Sequence, residues 1–150
     1  MKILLFILLF NLSFGYAQLH YRKMDELKTE FIKTSKMYNV DGAFYINQID
    51  DIYFKLLKSD LLGNYNQNNN EIKINVLYVN NPRLLRAVFY HEVGHFIGLK
   101  HLCKDCPYIM SAVVANDFYD MTAEQWEHQM DIYFAMIRTK HKKIIKITIE

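Results

Sequence analysis

Apolar residues recur along this chain in short periodic runs. Over residues 19–40, "LHYRKMDELKTEFIKTSKMYNV", Met24, Leu27, Phe31 and Tyr38 share one helical face, with lysines and glutamates opposite. That spacing predicts an amphipathic helix, closed by the turn chemistry of Asp41-Gly42. Residues 43–49, "AFYINQI", carry the β-branched and aromatic content of a short strand. Residues 50–63, "DDIYFKLLKSDLLG", fit strand and helix templates alike. The polar run "NYNQNNN" at 64–70 predicts a hairpin or rim loop. In "EIKINVLYV", residues 71–79, Ile72, Ile74, Val76 and Tyr78 alternate along the run, which predicts a half-buried strand at a sheet edge.

Asn81 and Pro82 then make a helix start, with asparagine as the cap and proline at the first helical position. Leu85, Phe89, Val93 and Phe96 follow as the core stripe of this second helix. Over 121–137, "MTAEQWEHQMDIYFAMI", Thr122 and Gln125 form a capping box, and Trp126, Met130, Tyr133 and Ile137 line one face. No internal repeat and no long linker interrupts the run from 18 to 150, so a single domain is expected there.

Composition narrows the class. The chain has 150 residues, 51% apolar and 23% charged, as a globular domain with one core does. A net charge of +2 without a basic stripe argues against nucleic acid as a partner, and "RTKHKKIIK" at 138–146 reads as a solvated tail. Residues 1–17 read as a signal peptide: Lys2 is the positive start, Ile3 to Phe10 the apolar run, and Gly15 and Ala17 the small residues before the cut. The apolar run is far shorter than the about 20 residues that span a bilayer. Cleavage after Ala17, a secreted or periplasmic location and no stable membrane insertion are expected. Export makes Cys103 and Cys106 candidates for a disulfide, with free thiols or a redox or metal role as alternatives.

The chemistry concentrates in "YHEVGHFIGLKH", residues 90–101. His91 and His95 stand four apart on a helix, so both rings project from one face and can grip one ion. Glu92 is rotated about 100° from His91, beside the ion but outside the ligand position. Gly98 is where the helix stops, because glycine enters the left-handed conformation without a Cβ penalty. The turn lets His101 return to the same ion; on a continued helix it would lie out of reach. Three imidazoles leave a fourth position for water, the mark of a catalytic zinc site, with Glu92 as general base. His20, His128 and His141 read as ordinary surface or core histidines.

With these residues in hand, the chain resembles the metzincin metallopeptidases. His91, Glu92, His95, Gly98 and His101 match the family's extended zinc motif, and Met110 in "YIMSA" is similar to its Met-turn methionine. The resemblance covers roughly residues 72–137, and the short spacing from His101 to Met110 is similar to matrixins and archaemetzincins. It implies an α+β fold: a small mixed twisted sheet with two helices above the zinc cleft, and the Met-turn and C-terminal helix below. Leu102 follows the third histidine and matches no subfamily mark, and Ala112 stands where astacins place a tyrosine ligand. Cys103 and Cys106 are too few, and misplaced, for the second zinc of archaemetzincins.

The expectation is therefore an exported, monomeric, zinc-dependent endopeptidase acting on peptide or protein substrates. Substrate would pair with an edge strand around 72–79, and residues 111–120 would wall the pocket beyond the cut bond. Three rivals stand beside it. They are a catalytically silent, zinc-stabilised binding module, a gluzincin-type peptidase with Glu124 or Glu127 as third ligand, and a thiol-redox protein using the cysteine pair.

Overall fold

A computed structural model describes the backbone of residues 2–112, 118 and 120–149, and the side chains of 18–112, 118 and 120–140. The elements run α1 (Lys2–Met37), α2 (Gly42–Ile46), β1 (Asp51–Lys55), β2 (Gly63–Asn66), β3 (Glu71–Asn75), a 3-10 turn (Val76–Tyr78), α3 (Pro82–Ile97) and α4 (Ala123–Ile149). Together they make a small α+β fold around a three-stranded mixed sheet of order β1-β3-β2. β1 runs parallel to β3, and β2 antiparallel to it. The backbone of residues 2–17, the segment expected as a signal peptide, belongs to α1. Among the described residues, no helix is long and apolar enough to cross a membrane.

Helix α1 buries Met24, Leu27 and Phe31, the face its periodicity marks. Phe31 packs against Tyr90 of α3 at 5.1 Å and Phe134 of α4 at 6.0 Å between ring centroids. Beyond the helix, Tyr38 stacks on Phe134 at 4.7 Å. Fully buried Phe31 thus joins α1 to two other helices, and its aromatic contacts add to its area alone. Tyr133 reinforces the junction by donating from its hydroxyl to the Tyr90 carbonyl at 2.8 Å.

Two segments differ from the sequence reading. Residues 43–49 form α2 and a turn, not a strand. The Asp41 carboxylate accepts from the Phe44 N–H at 3.0 Å and the Ser35 hydroxyl accepts from the Gly42 N–H at 3.0 Å, so local capping outweighs strand propensity. Likewise β3 is the central strand, not an edge, and it ends at Asn75, so Val76 and Tyr78 lie in the 3-10 turn. The cause is the fully buried Asn75 side chain, which accepts from Leu77 N–H at 3.2 Å and so ends the ladder. The open edge beside α3 belongs to β2, taken from the run expected as a polar hairpin, and the two strands do form that hairpin.

Asn75 also organises the loop between β1 and β2. Its amide donates to the carbonyls of Lys58 at 3.1 Å and Leu61 at 2.8 Å, while Tyr78 donates to Ser59 O at 2.9 Å. The loop 57–62 is thereby held over one side of α3.

Candidate metal centre

Helix α3 begins as its sequence demands. Asn81 caps it by accepting from Leu84 N–H at 3.1 Å, and Pro82 opens the first turn. Leu85, Phe89 and Val93 point into the core, and Phe96 packs partly buried beside them. His91 and His95 emerge on the other face. Gly98 ends the helix in the left-handed conformation, φ 82°. Its N–H donates to His95 O at 2.8 Å and that of Leu99 to Gly94 O at 2.8 Å, the paired bonds of a Schellman stop.

This turn brings His101 back to the helix. The three Nε2 atoms lie 2.9 Å (His91–His95), 3.0 Å (His95–His101) and 3.3 Å (His91–His101) apart. Nitrogens tetrahedrally bound at 2.0–2.1 Å would stand about 3.3 Å apart, so the spacing fits one shared ion. The opposite ring nitrogens support this. His91 Nδ1 meets the Ile109 carbonyl at 2.6 Å and His95 Nδ1 meets the Leu99 carbonyl at 3.2 Å. A carbonyl only accepts, so each Nδ1 carries the proton and each Nε2 offers its lone pair inward. Three lone pairs facing one another repel unless a cation lies between them. Among the described residues this is the one group of three or more histidine, cysteine or acidic side chains close enough to hold a metal ion. Glu124 and Glu127 stand outside it.

Burial sets the proton states. It pushes His91 down to about 4, with the neighbouring His95 and His101 adding to the effect and the Ile109 carbonyl opposing it. His95 is lowered for the same leading reason. Neutral imidazoles are what a metal needs. Glu92 is 5% exposed, and burial pushes its carboxyl up to about 7, with the Tyr65 backbone N–H pulling the other way. A carboxyl with that value can take up and release a proton near neutral pH.

Two glycines let other elements close on the centre. A Cβ at Gly63 of β2 would come within 2.8 Å of Glu92 Oε1 and 2.8 Å of Val88 Cγ1, so β2 rests directly on the carboxylate. A Cβ at Gly94 would meet Met110 Sδ at 2.6 Å, so buried Met110 packs straight against α3 between the two ligand positions. From below, Gln129 of α4 accepts from Ile109 N–H at 3.1 Å and donates to Pro107 O at 2.6 Å. Gln129 thus holds, through its N–H, the residue whose carbonyl orients His91. The sequence offers a signal for Gly94, a glycine inside a helix that needs a packing reason. Gly63 and the buried Gln129 carry no such local mark.

Cys103 and Cys106 are joined as a disulfide, Cα atoms 6.1 Å apart. The loop they staple folds onto the methionine turn: Leu102 N–H donates to Met110 O at 2.8 Å and Ala112 N–H to Cys103 O at 3.0 Å. Leu102 itself is exposed. His20 packs on Phe54 at 5.4 Å and His128 is exposed on α4, so neither joins the centre; the His141 side chain lies outside the described residues.

Above the histidines opens a cleft of about 540 Å³, walled by loop 59–62 and β2 on one side and by Ser111 and Ala112 on the other. Most of the 111–120 segment expected to wall the pocket, 113–117 and 119, lies outside the described residues. Fold and centre together define a small α+β protein with a three-histidine site and a buried glutamate in an open cleft. The chain matches no family model, no curated protein and no solved structure.

Proposed function

We propose that this chain is an exported zinc-dependent endopeptidase of the metzincin type. The observation that carries the reading is the convergence of three lone-pair-bearing Nε2 atoms beside one buried carboxyl, at the floor of a cleft. An all-imidazole set suits zinc among the common ions. A zinc ion held by His91, His95 and His101 supplies Lewis acidity, enough to lower the pKa of a water to about 7. Glu92 accepts the proton of the attacking water and passes it to the leaving amine. Ile109 and Leu99 carbonyls keep the rings in one tautomer throughout.

Substrate adds to β2, not to β3, which is paired on both sides. Because Asn75 N–H donates to Leu62 O at 2.8 Å, the backbone groups of Gly63 and Tyr65 alternate away from β3; the Tyr65 N–H is taken by Glu92, which leaves Gly63 and the Tyr65 carbonyl for an added strand. An extended peptide pairing there passes over Glu92 and the histidines.

Purified protein should bind close to one equivalent of zinc and cleave members of a diverse peptide library. Glu92→Gln should retain the zinc and lose cleavage by about 10²–10⁴-fold. Zinc well below one equivalent sinks the metal assignment. Full zinc with no cleavage favours the silent binding module.

A further inference from the structure

Loop 57–62 presents a carboxylate to the cleft that pairs with no described residue. Its neighbours are tied down: Lys58 O and Leu61 O by the Asn75 amide, Ser59 O by the Tyr78 hydroxyl, and Leu62 O by Asn75 N–H. Asp60, between them, lines the cleft, yet among the described residues its carboxylate has no hydrogen bond or ion pair. The loop backbone is pinned, and it carries the exposed Asp60 carboxylate at the mouth of the site.

The surroundings leave Asp60 uncompensated nearby. Among the described residues the cleft lining contains neither lysine nor arginine to pair with it. Next to Asp60, Leu61 is 40% exposed, and Tyr78 also lines the cleft. Apolar surface ending at a carboxylate matches a long aliphatic stem ending in a cation. Arginine fits best, since its planar fork can bond a carboxylate twice.

We infer that Asp60 is a specificity-determining residue that selects substrates with an arginine or lysine side chain near the scissile bond. The inference rests on the peptidase reading and names its substrate class. Loop 57–62 acts as the specificity loop, Leu61 and Tyr78 carry the stem, and Asp60 receives the charge.

The test compares N-acetylated peptides that differ only in arginine or its neutral isostere citrulline at the position a scanning library identifies. The zinc-loaded wild type should favour arginine by about fivefold, the scale of a solvent-accessible ion pair. Asp60→Asn should bring that ratio to about one, and Asp60→Lys should invert it. In parallel, fluorescence anisotropy on zinc-loaded Glu92→Gln, with and without Asp60→Asn, should show the same loss of preference in binding. A wild-type ratio near one, or a ratio unchanged in Asp60→Asn, overturns the inference while leaving peptide hydrolysis intact. Absence of all cleavage with Asp60-dependent arginine binding retained overturns the peptidase reading and keeps the recognition site.

Discussion

Glu92 holds its proton to about pH 7 in the folded metal-free protein, whereas its ordinary value is 4.5. The unfolded chain therefore ionises first as pH rises. Stability from this group is complete below about pH 4.5 and is lost through about pH 7, by up to about 3 kcal/mol. Glu92→Gln is expected to flatten that dependence and to melt higher than wild type at pH 8, both without metal. Equal slopes in thermal melts from pH 5 to 8 would contradict it. His91 acts in the reverse sense, since its folded value near 4 lies below the ordinary 6.5, and stability falls as pH drops between the two. Gly63→Ala tests the contact between strand and carboxylate. The added Cβ meets Glu92 Oε1 at 2.8 Å, so kcat should fall on the order of 10²-fold, with zinc stoichiometry unchanged. A fall confined to KM would point to the substrate edge alone.

Among the elements, the segment between α3 and α4 works as a cradle for the histidines. Ile109 receives His91 from above and Gln129 holds Ile109 from below. Gln129→Ala leaves the buried Ile109 N–H without its partner, at a cost of about 1–3 kcal/mol. It should also weaken zinc binding by about 10–100-fold, as loss of an orienting contact does; competition against a chromogenic chelator measures this. Unchanged affinity would mean the turn holds itself. The Cys103–Cys106 staple closes a loop of only four residues, counting both cysteines. Loop entropy then contributes about 2 kcal/mol, so the paired serine variant should unfold at lower denaturant with zinc affinity reduced.

For the whole molecule, a metal bound only by the folded state stabilises it by mass action. At about a thousandfold excess over Kd the gain is about 4 kcal/mol, a rise of roughly 10 °C in melting temperature for a chain of this size. Chelation should reverse it, and calorimetry with and without chelator reads it directly. A melting temperature indifferent to zinc would sink the centre as a metal site.

The sequence by itself determined the features that are local along the chain. The helix from Asn81, its stop at Gly98, the capping box at Thr122 and the buried faces of α1 and α4 follow from spacing and from side chains acting within a few residues. His91, His95 and His101 were legible for the same reason, since one helical turn and one left-handed residue suffice to converge them. The tertiary structure decided what depends on partners distant in sequence. Whether residues 71–75 lie at the centre or the edge of the sheet depends on where β1 and β2 pair, and no period records that. Residues 43–49 became a short helix and a turn because Asp41 and Ser35 outweighed their propensity. Gly63 against Glu92, Gly94 against Met110 and Gln129 beneath Ile109 are contacts between elements. Close packing, not periodicity, selects those residues, and only the assembled fold reveals it.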